Sequence, residues 1–155
     1  MLKIFIYPSP ILRLRAKEVE RIDQETLALI LPMKQTMDAN NGIGLAAPQI
    51  GISKRIIIVK GDKENQAFLN PKILKQSREK EEDEEGCLSF PGLFVKVKRA
   101  QRVEVLAVTP KGKEVKIETE GLASRIFQHE IDHLNGKLII HRVSLWTRLL
   151  RHFKK

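Results

Sequence analysis

The spacing of apolar residues changes several times along the chain, and each change marks an element. Between Asp23 and Asn40, the residues Leu27, Ile30, Leu31 and Met37 fall near helical spacing, and Asp23 of Asp23-Gln24-Glu25-Thr26 can cap that helix. Pro32 lies inside the pattern and predicts a kink, or a boundary one turn earlier. Asn40-Asn41-Gly42 reads as the stop. Four β-type segments follow, at 55–60, 67–76 (broken by Pro71), 93–98 and 102–109. In the last of these, Val103, Val105 and Ala107 alternate with Arg102, Glu104 and Leu106, an imperfect period of two. Pro110-Lys111-Gly112 reads as a hairpin turn into a strand over 114–119. From about Glu120 to Asn135 the period is helical again, with Leu122, Ile126, His129 and His133 on one stripe and Asn135-Gly136 as its end. A last helical segment covers about 143–155, where Val143, Trp146, Leu149, Leu150 and Phe153 form a stripe opposite Arg148, Arg151 and Lys155. Strands come first and the long helix later, without βαβ alternation. The expected fold is α+β: mainly antiparallel sheets around a central helix, with N-terminal and C-terminal helices.

Composition narrows the class. A chain of 155 residues is one domain, expected here over 1–155, and 42% hydrophobic content supplies a real core. Cys87 is the only cysteine, so no disulfide is available and a reducing, cytoplasmic compartment is expected. The longest apolar runs, Ile56 to Val59 and Leu138 to Ile140, are far too short to cross a bilayer, and Met1 to Pro10 lacks the layout of a signal peptide. The net charge of +9 is uneven: no acidic residue follows Asp132, while Lys137, Arg142, Arg148, Arg151, Lys154 and Lys155 follow it. Such a tail is a handle for a polyanion or simply a solubilising end. A nucleic-acid binding module would account for the charge, but aromatics are only 5% and no stacking motif occurs. Glu79 to Glu85 holds six acids in seven residues and reads as a solvated loop.

The chemistry concentrates in His129-Glu130-Ile131-Asp132-His133. Histidines four apart on a helix lie about 6 Å from one another on one face, within reach of a single metal ion. Glu130 sits about 100° further round, where its carboxylate can take a proton from a water but not easily touch the metal. A pair of surface histidines is the bland alternative, but these two share the apolar side with Leu122 and Ile126, where unpaired imidazoles would be unfavourable. A catalytic metal needs a third protein ligand and an open position. No carboxylate follows His133, which leaves His141 downstream or, preferably, Cys87 in Glu85-Gly86-Cys87-Leu88-Ser89, on a tight turn at a strand edge. A general zinc endopeptidase would call for a ligand further downstream and a longer cleft, and neither is visible. The third segment is Gly42-Ile43-Gly44-Leu45-Ala46-Ala47-Pro48-Gln49, whose small residues leave bare backbone for an extended peptide to pair with. Gln49 is its one uncharged polar side chain, able to donate to an oxyanion.

Taken together, these three segments resemble the motifs of the peptide deformylase family, in the same order and across most of the chain. The resemblance implies that Cys87, His129 and His133 bind one divalent metal ion and that Glu130 is the general acid/base. It implies that Gln49 and the backbone N–H of Leu88 stabilise the oxyanion, and that the Gly44 backbone holds the substrate as a strand. Ile43, Leu122 and Ile126 would line a methionine pocket. The implied ion is Fe²⁺, with Zn²⁺, Ni²⁺ or Co²⁺ as alternatives that the ligand set does not separate. The implied substrate is an N-formylmethionyl nascent peptide, which brings the ribosome near the exit tunnel into view as a partner for the basic C-terminal helix. Glu85, Arg99 and Asp132 are expected to orient the ligands. Some family members carry an arginine seven residues after the motif cysteine; here that position is Phe94, and no role passes to it.

Overall fold

Asp23 starts the first helix as its side chain leads one to expect: its Oδ1 accepts a hydrogen bond from the Thr26 N–H at 2.8 Å, and α1 runs Gln24–Ala39. The structure is a computed structural model in which residues 1–143 are described, so the expected C-terminal helix beyond Val143 lies outside the described residues. Helix α1 passes through Pro32 instead of ending there. Met33 and Met37 on the following turn are fully buried, and each contributes about 1.5–3 kcal/mol, which offsets the roughly 3 kcal/mol lost at the proline. Leu31, counted in the apolar stripe, is 62% exposed, and Met33 faces the core in its place.

Seven strands follow: β1 Gly44–Ala46, β2 Ile56–Val59, β3 Gln66–Gln76, β4 Lys80–Cys87, β5 Phe90–Ala100, β6 Arg102–Val108 and β7 Glu114–Glu120. Helix α2 then spans Gly121–Leu134. A five-stranded antiparallel sheet has the order β1-β2-β3-β6-β7, and β4 and β5 pair separately. Strand β2 shows why the sheet is the middle layer. Ile57 and Val59 pack with Ile126, Phe127, Ile131 and Leu134 of α2, whereas Ile56 and Ile58 pack with Met33 and Met37 of α1. A strand covered on both faces reads as an unbroken apolar run. A third cluster, with Leu12, Phe90, Val95, Val97, Leu138 and Ile139, holds the β4–β5 hairpin against the start and end of the described chain.

Two expectations need correction. Pro71 does not break β3; a register shift between Leu69 and Lys72 absorbs it, with Asn70 at φ 49° and its side chain bonded to the backbone of Val19 at 2.8 and 2.9 Å. The acidic run is not a loop but most of β4. Its partner strand is basic, so Glu81, Glu82 and Glu84 lie opposite Arg99, Lys98 and Lys96, and cross-strand attraction replaces the repulsion expected of the isolated run.

Helix α2 is enclosed: every residue from Ser124 to Leu134 is buried. Gly136, at φ 69°, follows its end, and a Cβ there would come within 2.4 Å of the Arg13 carbonyl oxygen. The Ala16 N–H donates to the Leu134 carbonyl at 2.9 Å, tying the N-terminal segment to the same helix end. No helix among the described residues is long and apolar enough to cross a membrane.

Candidate active site

Burial of α2 carries His129 and His133 inside, 9% and 1% exposed, with ring centroids 5.0 Å apart. Cys87 ends β4, and the two-residue turn Leu88–Ser89 returns the chain to Phe90. This turn brings Cys87 Sγ to 3.2 Å from His133 Nε2. One donor atom from each of Cys87, His129 and His133 lies within 4.8 Å of the others. His141, the other candidate ligand, is exposed on a 3₁₀ turn, accepts from the Leu138 N–H at 3.0 Å and stands outside this group.

The residues fit a cation. Glu85 Oε2 accepts from His129 Nδ1 at 2.9 Å, which fixes the ring and leaves Nε2 as its donor atom. Burial lowers the pKa of His133 and keeps it neutral, as a ligand must be. Burial also opposes charge on His129, but hydrogen bonds to Cys87 and Glu85 and the nearby Glu130 carboxylate outweigh it and raise its pKa. Thiolate plus two imidazoles, with the fourth position open, is the donor set of a catalytic Zn²⁺ or Fe²⁺ site.

Behind Cys87, His129 and His133 lies a buried network. Glu85 meets Arg99 through two bonds of 2.9 and 3.0 Å and Arg125 at 2.7 Å. Burial would keep its carboxyl protonated, but the hydrogen bonds and charges of His129 and Arg99 outweigh it, and its pKa falls far below the ordinary range. Asp132 accepts from Arg99 at 2.6 Å and from Arg142 at 2.8 Å. Glu85, Arg99 and Asp132 are therefore together as expected. Arg125 and Arg142 were not foreseen. A basic residue inside the His-Glu helix, opposite a surplus of acids, was the available signal for Arg125. Arg142 was hidden by being counted with the basic tail.

The cleft over this group has a volume of about 450 Å³. Ile43, Gly44, Gln49, Leu88, Leu122, Ile126 and Glu130 all line it together with Cys87 and His129, so the three motifs converge on one place; His133 lies beneath. Ile126 is buried, while Ile43 and Leu122 are 42% and 61% exposed at the rim. Depressions of about 720 and 830 Å³ elsewhere are larger but shallow and lined by surface residues such as Lys75 and Arg15. Gln49 Oε1 accepts from the Ala46 N–H at 2.8 Å, which turns its amide N–H₂ toward Ser89 Oγ at 3.3 Å and Cys87 Sγ at 3.6 Å. Phe94 lies over Gly86, where a Cβ would come within 2.7 Å of its ring. Burial raises the Glu130 pKa to about 7, and its Oε2 has no hydrogen-bond partner among the described residues.

Gly44 packs directly on that carboxylate: a Cβ would lie 2.3 Å from Glu130 Oε1. Gly44→Ala should therefore displace the Glu130 side chain and lower kcat about 100-fold while metal content stays at the wild-type level, since misplacement of a reacting group by about 1 Å carries that penalty. Metal analysis beside the kinetic assay checks this; an alanine variant with wild-type kcat would refute it.

A family model described as polypeptide deformylase matches residues 1–148. The peptide deformylase of Thermotoga maritima is 46% identical over 150 residues, covering 97% of this chain and 92% of that protein. That of Dictyoglomus turgidum is 47% identical over 134 residues, covering 86% of this chain and 87% of its own. The crystal structure of the Thermotoga maritima enzyme superposes with a TM-score of 0.90 over 93% of this chain and 98% of that one. A Synechococcus elongatus peptide deformylase, solved in complex with actinonin, superposes with a TM-score of 0.92 at 40% identity, over 97% and 82% of the two chains. Sequence and fold match over nearly the whole length, and the chain belongs to the polypeptide deformylase family.

Proposed function

We propose that this chain removes the N-formyl group from the N-terminal formylmethionine of nascent polypeptides and releases formate. The observation that carries this reading is the convergence of Cys87, His129 and His133 beside the buried Glu130, in a cleft bordered by Gly44. Cys87, His129 and His133 would hold one divalent cation. When bound, that cation lowers the pKa of a water and polarises the formyl oxygen. Glu130 accepts the proton of the water as its oxygen bonds to the formyl carbon, and delivers it to the amine nitrogen as the C–N bond breaks. The Gln49 amide and the Leu88 N–H donate to the oxyanion, each lowering the barrier by about 3 kcal/mol. Strand β1 is an outer strand of its sheet, so Gly44 has a free edge on which an extended peptide can pair. Ile43, Leu122 and Ile126 receive the methionine side chain.

The test is formate release from formyl-Met-Ala-Ser with and without a chelator. Turnover should vanish with the metal and return on its replacement. With norleucine in place of methionine the rate should stay nearly the same, because about 1–3 kcal/mol is the most one methylene of misfit can change, while formyl-Asp peptides should be very poor. Turnover indifferent to the chelator would overturn the reading. Fe²⁺ is the proposed resident ion, checked by metal analysis of protein purified without air; Zn²⁺, Ni²⁺ or Co²⁺ should substitute.

The proposed compartment is the cytoplasm, where the basic C-terminal residues would be a handle for ribosomal RNA phosphate near the exit tunnel. Reversing Arg148, Arg151 and Lys155 to Glu should weaken co-sedimentation with ribosomes, and wild-type binding should fall steeply with salt. Turnover of a free formyl-tripeptide should be unchanged. Co-sedimentation equal to wild type would remove this role.

A further inference from the structure

Arg142 begins an unbroken line of charged hydrogen bonds that ends on a metal-binding imidazole. Its guanidinium grips Asp132 with two nitrogens, Nε at 2.8 Å from Oδ2 and Nη2 on Oδ1. Asp132 Oδ2 accepts in turn from Arg99 Nη1 at 2.6 Å. Arg99 holds Glu85 through Nε and Nη2 at 2.9 and 3.0 Å, and Glu85 accepts from His129 Nδ1 at 2.9 Å. The inner members are closed off from water, with side chains 3% and 5% exposed at Arg99 and Glu85, whereas the Arg142 side chain is 39% exposed.

We propose that Arg142 is a positioning residue for the metal centre, acting on His129 through Asp132, Arg99 and Glu85; the proposal rests on the reading of Cys87, His129 and His133 as ligands. Asp132 serves two guanidiniums with one carboxylate. With Arg142 in place, Arg99 receives only Oδ2 and keeps its Nε–Nη2 fork on Glu85. Without it, both Asp132 oxygens become available, and Arg99 is drawn toward Asp132 and away from Glu85. Glu85 still has Arg125 at 2.7 Å to lean on, so the bond that slackens is the one to His129. The backbone at Arg142 does not depend on its side chain, because Leu138 and Ile139 of the preceding turn are anchored in the third core cluster. Beside the pair lies a small cavity of about 60 Å³, lined by Asp132, Arg142, Arg99, Gln128, Lys80 and Lys98 among others.

The cavity permits a direct test. Wild-type protein and Arg142→Ala are loaded with Zn²⁺ or Ni²⁺, challenged with excess chelator, and followed for metal release; melting of the metal-free forms is measured alongside. The variant should release metal about tenfold faster, at the low end of what partners of ligating histidines contribute, with the metal-free melting temperature near that of wild type. Millimolar guanidinium ion, which can re-form the two bonds to Asp132, should slow release again, and methylammonium should not. Arg142→Lys keeps the charge but not the fork and should release metal at an intermediate rate. Release at the wild-type rate in Arg142→Ala overturns the proposal. So does faster release that guanidinium leaves unchanged, which marks a merely structural residue, and so does wild-type behaviour in Arg142→Lys, which decides the matter alone if the alanine variant does not fold. Wild-type protein that retains no cation would overturn the ligand reading itself, an outcome visible before any variant is compared.

Discussion

Glu130→Gln should bind its cation like the wild type and lose between about two and four orders of magnitude of turnover. The substitution keeps the shape of a side chain that is 4% exposed and pressed against Gly44, so folding and the Cys87–His129–His133 group should be undisturbed. What it removes is the proposed proton carrier. Burial raises the Glu130 pKa to about 7, which suits a group that must first accept and then deliver a proton near neutral pH. Its Oε2, without a hydrogen-bond partner among the described residues, is the atom available for that exchange. Metal analysis together with formate release checks the expectation, and more than a tenth of wild-type activity would exclude Glu130 as the base.

Glu85→Ala should lower the stability of the metal-free protein by about 3–5 kcal/mol, because removing one partner of a buried ion pair leaves the others uncompensated. Arg99 and Arg125, 4% and 8% exposed, would both lose their contact with it. For a domain of this size the melting temperature should fall by roughly 10 °C. The pH dependence has a definite sign. Glu85 has a folded pKa held far below the ordinary value, so its contribution is complete above the unfolded carboxylate pKa of about 4.3 and fades as the pH drops below it. The gap between wild type and variant should therefore narrow in acid. Thermal melts at pH 7 and pH 3.5 measure both effects; a variant within about 1 kcal/mol of wild type at pH 7 would show that the network contributes little.

The candidate site was largely legible in the sequence because its parts are local. Histidines at i and i+4, a cysteine on a tight turn and a glycine-rich edge carry their geometry in their spacing, and the fold brings all three to one cleft. The alternating period of β6 and the capped start of α1 were local in the same sense. What escaped depends on partners distant in sequence. The run Glu79–Glu85 reads as a loop until Lys96, Lys98 and Arg99 are set opposite it in a partner strand, although Glu79 to Glu84 are exposed as expected. Glu85 is buried only because arginines from β5 and α2 reach it. Pro32 reads as a kink or a boundary, and the packing of Met33 and Met37 that carries the helix past it is not visible in local propensity. Strand β1 is three residues long and gains its strand character from pairing with β2, which no short window reveals.

The enclosure of α2 sets an order of events during the protein's own synthesis. Two of the three donors and Glu130 stand on this helix, and its end is fastened by Ala16 from the opposite end of the described chain. Residues 5 and 7 wait for less, since the Phe5 N–H bonds to the Gln49 carbonyl and the Tyr7 N–H to the Ser89 carbonyl, both made before α2. A growing chain that has emerged only through β7 possesses Cys87 but neither histidine of the group. On the proposed ligand set, cation capture is therefore a late event, coming after elongation has passed α2, and a product interrupted before that point lacks two of the three donors and Glu130.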